Sequence, residues 1–286
     1  MRGLAAHPYT LLDVFTDLPL AGNGLAVVHD ADGVSDEVML AFARETKLME
    51  TTFVQTASDP VADYRNRIWT IAEVVPFAGH PSLGRAVAVA LARGDEDAVY
   101  HQQTLAGIQE VTVTRNGDGA RASVVQIRAE TGPELEPAAV MAAAGLAPED
   151  AHPDLPPQRL STGLPALIAP VADRAAVSRA RPDVPAIAAL GQGVVNFYLC
   201  HIDAEAGSAR ARSFPSLDVE SEDPATGSAA GPLGLYAHDR LGLETLEVTQ
   251  GVEIGRPSRL LTQIEDGRVR VSGDVVVLVT GTLRLP

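Results

Sequence analysis

The chain predicts an α+β protein made of two similar halves, and three observations carry that expectation. Two stretches share one grammar: Pro76-Phe77-Ala78-Gly79-His80-Pro81-Ser82-Leu83-Gly84 and Glu222-Asp223-Pro224-Ala225-Thr226-Gly227-Ser228-Ala229-Ala230 both lead small and polar residues into an apolar helical segment. Gly79-His80 and Gly227-Ser228 lie 148 residues apart, and the hairpin glycines Gly119 and Gly267 are separated by the same 148. In each half the helix is followed by a strand and a glycine hairpin in the same order. A duplicated unit with a cleft between its copies is the economical reading. The halves are placed at 1–130 and 131–286, with the last strand free to cross back to the first.

Element by element, Leu11–Phe15 reads as a strand and Asp17–Gly24 as a turn-rich loop leading to a strand at Leu25–His29. Ser35 is an N-cap, with Asp36 and Glu37 in the first turn of a helix reaching Thr46. Glu50 opens a β-branched strand to Gln55, and Tyr64–Ile71 is another. The helix Arg85–Arg93 closes at Gly94–Asp97. Strands Ile108–Thr114 and Ala122–Arg128 flank an Asn116-Gly117-Asp118-Gly119 turn. The proline-rich stretch 130–157 reads as a connection holding a short helix, Pro137–Ala144. Ala166–Pro170, a helix near Pro182–Leu190 and the strand Val194–His201 follow. Helix Ser228–Arg240, strand Leu246–Val248, a hairpin of Arg259–Ile264 and Arg268–Ser272, and strand Val275–Thr280 complete the chain.

Composition narrows the function. A net charge of −15 offers no basic footprint for nucleic acid or an anionic membrane surface. No apolar run approaches a bilayer span and no signal peptide is evident, so a cytoplasmic protein is expected. The single Cys200, within an apolar strand, excludes an internal disulfide and a thiolate metal site. His7, His29, His101, His152, His201 and His238 show no ligand spacing, so no metal is expected. Gly191-Gln192-Gly193-Val194-Val195-Asn196 lacks the third glycine of a dinucleotide loop and leads into a strand.

Chemistry gathers at the two helix starts. Free N–H groups of a first helical turn, with the positive end of the helix dipole, bind an anion such as a carboxylate. Glu50, His80 and Asp223 are the ionisable residues beside these starts. A carboxylate in an apolar pocket can act as general base and then acid, and a neighbouring histidine can hold a substrate oxygen or relay a proton. Helix N–H groups would stabilise enolate-like charge as it develops. The set suits moving a proton on carbon next to an acidifying group, with neither metal nor organic cofactor. Bland alternatives exist for each: Glu50 a solvated strand-edge residue, His80 a helix capper, Asp223 an N-cap holding the Thr226 N–H.

LLDVFTDLPLAGNGLAVV, ARETKLMETTFV, PFAGHPSLG and EDPATGSAA together resemble the PhzF-like proteins, named for the isomerase of phenazine biosynthesis, over nearly the whole chain. The resemblance implies a fold like that of diaminopimelate epimerase, with each half a sheet wrapped around a central helix and the active site between them. It implies a homodimer acting without a cofactor on a small anionic metabolite. Carried over by motif, Glu50 is the proton-transferring residue, while His80 and Asp223 assist. Asn23, Gly79, Gly84, Thr226, Gly227 and Ser228 would face the substrate. Gly24, Lys47, Met49, Ile71 and Val74 depart from the family's usual residues at their positions. Cofactor-independent racemases of this fold use two cysteines, so one thiol disfavours that route. The expected activity is an isomerase using Glu50. An epimerase or racemase using Glu50 and Asp223, or an idle ligand-binding homologue, are the alternatives.

Overall fold

In the computed structural model the described residues are 3–117, 119–191, 195–215 and 222–286. Asp118 of the expected hairpin turn and Gln192, Gly193 and Val194 of the glycine-rich segment lie outside them. The chain divides into two compact units, Met1–Val124 with Ser272–Pro286, and Val125–Val271.

The first unit holds β1 (Ala5–Val14), β2 (Asn23–Val28), α1 (Asp36–Thr46), β3 (Glu50–Gln55), β4 (Tyr64–Trp69), β5 (Val74–Val75), α2 (Gly79–Arg93), β6 (Asp97–Thr104), β7 (Gly107–Asn116) and β8 (Gly119–Val125). The second holds β9 (Glu130–Glu134), α3 (Pro137–Ala143), β10 (Gln158–Ser161), β11 (Pro165–Pro170), α4 (Arg174–Arg179), α5 (Val184–Ala189), β12 (Asn196–Asp203), β13 (Ser208–Pro215), α6 (Gly227–Leu241), β14 (Thr245–Gln250) and β15 (Ser258–Glu265). The final strand, β16 (Arg268–Leu285), has residues in both units.

This is a mixed α+β fold. In the first unit the strands pair in the order β1-β2-β3-β4-β6-β7-β8-β16, and β16 pairs back onto β1, from Ala5↔Leu285 to Val14↔Val275. Eight strands therefore close on themselves and leave no free edge. Every residue of α2 from Gly79 to Ala90 is buried, and the helix contacts β1, β2, β3 and β7. A helix hidden on all sides has to be apolar all round, and GHPSLGRAVAVA is, except at His80, Ser82 and Arg85. Gly84 lets it fit: a Cβ there would lie 2.6 Å from Val14 Cγ2 and 2.7 Å from Leu25 Cδ2. In the second unit the ladder runs from β15 through β14, β13, β12, β11 and β10 to β9, and the first residues of β16 flank β15. α6 is buried from Gly227 to Ala237 against β10, β11, β12, β14 and β15.

Several elements differ from expectation. β1 starts at Ala5 because its polar first residues are paired with the end of β16. The strand β6, where the sequence suggested no element, turns Tyr100, Gln102 and Thr104 inward and leaves Val99 52% exposed, the reverse of the usual polarity. β13 alternates small and charged residues and buries Ala209 and Ala211. Arg268–Ser272 and Val275–Thr280 are one continuous strand, because Gly273 makes a close approach instead of a turn: a Cβ there would lie 2.3 Å from the Phe15 ring.

Candidate active site

In β3, successive side chains alternate across the strand. Thr51 and Phe53 face outward; Phe53 packs with Met39 and Ala43 of α1 and with Trp69. Glu50 and Thr52 therefore share the opposite, inward face. α1 delivers the chain to this strand. It is capped at one end by the Ser35 hydroxyl, which accepts from Val38 N, and ends in a left-handed Lys47 at φ 54°. β3 runs parallel to β2 with Leu25 opposite Glu50, which brings Asn23 near the same end of the strand pair.

Across from them is the start of α2. The His80 ring is buried, with Nε2 3.5 Å from Glu50 Oε2 and Nδ1 3.2 Å from Asn23 Nδ2. Burial lowers the His80 pKa to about 3, so the ring is neutral at physiological pH. At 3.5 Å, Nε2 makes no hydrogen bond among the described residues, a loose contact of a kind that tightens when a substrate closes the site. Ala78 is the N-cap of α2 and supplies no capping side chain. Ser82 turns its hydroxyl back to the Ala78 carbonyl at 2.8 Å, and Pro81 has no N–H. The backbone N–H groups of Gly79 and His80 are thus left without a side-chain cap at a buried helix end, an arrangement suited to an anion.

At the start of α6 a separate cluster is built on Asp223, which pairs with Ser213 as an isolated bridge. The Thr226 hydroxyl donates to Asp223 Oδ2 in a short contact. Gln250 closes the set: its Nε2 donates to the Asp223 carbonyl at 2.7 Å and to Thr226 Oγ1 at 3.0 Å. Its Oε1 accepts from Thr226 N at 3.3 Å and from the Tyr198 hydroxyl at 2.7 Å. Thr226 is the N-cap of α6, but with its hydroxyl turned toward Asp223 it makes no side-chain cap. The N–H groups of Ala229 and Ala230 return to the Thr226 carbonyl, which leaves those of Gly227 and Ser228 at the buried helix start. Behind them Gln126 donates to the Gly227 carbonyl at 2.9 Å. Gly231 makes room for that amide; a Cβ at this position would sit 1.8 Å from Gln126 Oε1. Glu222 is neutralised by Arg212, with Nη2 to Oε2 at 2.7 Å.

Glu50, His80, Asn23 and Gly79 are thus brought together in the first unit, and Asp223, Thr226, Gly227 and Ser228 in the second. Gly84 is not at the helix start. It lies in the second turn of α2, and its missing side chain is used by the packing of Leu12, Val14 and Leu25. The Thr226 N–H reaches Gln250, a partner that the reading of Asp223 as N-cap did not include.

A family model described as phenazine biosynthesis-like protein (PhzC-PhzF) matches residues 12–281. The chain belongs to that family. It is 35% identical over 274 residues to trans-2,3-dihydro-3-hydroxyanthranilate isomerase of Pseudomonas aeruginosa, with 93% of each chain covered. The structure of a predicted epimerase from Pseudomonas aeruginosa shares 36% identity and a TM-score of 0.83 over 97% of this chain and 99% of that one. A hydroxyproline epimerase from Agrobacterium vitis, at 13% identity and TM-score 0.63 over 99% of this chain and 92% of its own, shares the fold. With relatives of this kind, the chain is an enzyme of the isomerase class.

Gln126, Tyr198 and Gln250 had no signal in the sequence. Each is a polar residue inside a strand-like segment, and only the packing brings them to α6. Cys200 is fully buried in β12, and burial pushes its thiol pKa upward, which leaves it unreactive. Among the described residues no group of histidine, cysteine and acidic side chains could hold a metal ion, and no helix is long and apolar enough to cross a membrane.

Proposed function

We propose that the chain is a cofactor-independent isomerase that relocates a C–H proton in a small carboxylate-bearing substrate. Glu50 acts as base and then as acid. The observation that carries this reading is the 3.5 Å approach of the Glu50 carboxylate to a buried, neutral His80 at a helix start without a side-chain cap. On this reading, the substrate carboxylate is held by the backbone N–H groups of a helix start without a side-chain cap. Glu50 takes a proton from carbon, and the C–H electron pair moves into the conjugated system toward the acidifying group. The fixed N–H dipoles hold that charge. The Glu50 carboxylic acid then returns the proton to a different carbon as the double bond shifts, so the product is an isomer. Epimerisation would need a second acid on the other face. The Asp223 carboxylate is already engaged by the Thr226 hydroxyl, which favours transfer on one face.

A panel of small unsaturated and hydroxylated carboxylic acids in D2O tests this, with the substrate named for the Pseudomonas relative as the first compound. Wild type should incorporate deuterium at carbon into at least one acid. Glu50→Gln should bind that acid and lose roughly 10²–10⁴-fold in exchange rate. Equal exchange by the two proteins would sink the reading.

A further inference from the structure

We infer that Asn23 is a positioning residue that fixes His80 as its Nε2–H tautomer, so that a ring N–H is directed at the Glu50 carboxylate. The inference follows from what an amide nitrogen can do. Asn23 Nδ2 lies 3.2 Å from His80 Nδ1, and both residues are buried, at 1% and 4% exposure. An amide NH2 group donates and cannot accept, so Nδ1 must carry its lone pair. A neutral imidazole has one ring proton, which is then on Nε2, the atom that faces Glu50 Oε2 at 3.5 Å. Asn23 is itself anchored as the first residue of β2, opposite Val14 of β1, so its amide is presented from a strand and not from a loose loop.

The consequence concerns the proton balance of the site. With the opposite tautomer, a ring lone pair would face the carboxylate and repel it. With this one, a neutral ring N–H faces the Glu50 carboxylate while the histidine keeps its own proton. Asn23 thus acts through His80 and not by contact with the substrate. The tautomer stands without the isomerase reading; only its effect on turnover rests on it.

Long-range proton–nitrogen correlation spectra of the ¹⁵N-labelled full chain at neutral pH report the ring directly, with the His80 signals assigned by their loss in His80→Gln. Wild type should show a bare Nδ1 and a protonated Nε2. In Asn23→Asp, whose carboxylate only accepts, Nδ1 should become protonated; in Asn23→Thr, whose hydroxyl can donate, the wild-type pattern should persist. A protonated Nδ1 or a mixture of tautomers in wild type overturns the inference, and so does a His80 ring unchanged by Asn23→Asp. The wild-type spectrum decides even if a variant fails to fold. On any acid that exchanges, Asn23→Asp should lower kcat and kcat/KM together by about tenfold or more, with little change in KM. The expected spectra with no exchanging acid would remove only the proposed function. Exchange that depends on Glu50 beside a protonated Nδ1 would remove only the role of Asn23.

Discussion

Two buried helix starts, α2 and α6, present small residues and uncapped N–H groups, yet their surroundings are opposite in kind. At α2 a carboxylate faces a neutral imidazole whose Nε2 makes no hydrogen bond among the described residues, with an amide behind the ring. At α6 the polar groups are tied together, with Asp223, Thr226, Gln250 and Tyr198 joined through five hydrogen bonds. A satisfied network in a low-dielectric interior resists change and holds its geometry. Under the proposed function, the first start is where a proton is expected to move and the second is where geometry is expected to be held.

That contrast has measurable consequences, the largest at Glu50. Glu50→Gln should act mainly on kcat, by the 10²–10⁴-fold expected of a general acid–base group, whereas Asp223→Asn should act more on KM. A matching fall in kcat for both variants would erase the distinction.

His80 gives the next effect through pH. Its folded pKa, lowered by burial from 6.5 to about 3, means that between those values the unfolded chain binds a proton that the folded chain does not. The stabilising contribution of the neutral ring is complete above pH 6.5 and is lost as pH falls toward 3, at up to about 1.4 kcal/mol per pH unit. Urea denaturation from pH 7 to 4 should show this slope, and His80→Asn should remove it.

Gly231 tests the rigidity of the second start. Gly231→Ala forces a Cβ into the Gln126 amide, which has to leave the Gly227 carbonyl. Overpacking of this kind costs about 1–3 kcal/mol, read as a lower denaturation midpoint, and substrate affinity should fall with it. Unchanged binding would mean that the Gln126 contact does not set the Gly227 position.

The smallest effect concerns Arg85, which is fully buried in α2 with Nη2 donating to the Arg65 carbonyl at 2.6 Å and its guanidinium 4.3 Å from the centre of the Tyr64 ring. Among the described residues Nε and Nη1 find no hydrogen-bond partner, and burial lowers its pKa to about 9. Replacing a costly buried charge by an apolar side chain of similar length is often neutral or stabilising. Arg85→Met should leave thermal stability unchanged or raise it by about 1 kcal/mol. A loss of several kcal/mol would assign the guanidinium a structural role beyond its single hydrogen bond.

Much of this was legible in the residues. Ser35 with Asp36 and Glu37 marks a helix start because capping is local chemistry, and the strand Glu50–Gln55 was bounded by its β-branched run. Small residues beside proline marked both helix-leading segments, but the first helix, expected from Arg85, begins at Gly79, and the second, expected from Ser228, begins at Gly227. β6 was not legible, since its inward residues are tyrosine, glutamine and threonine, and a polar interior defeats a hydrophobic pattern. Gly84 reads as part of a substrate loop in a linear motif; three side chains from β1 and β2 make it a packing residue.

By itself the sequence determined the α+β class, the family, both helix-leading segments and the identity of the carboxylate beside each, because caps, turns and alternating strands depend on neighbours a few residues away. Only the tertiary structure decided that the first unit's strands close into a ring around α2, that the Asn23 amide meets the His80 ring, and that Gln250 and Tyr198 hold Asp223 and Thr226. Those partners lie 24 to 57 residues apart in the chain and meet only because strand pairing and burial bring them together.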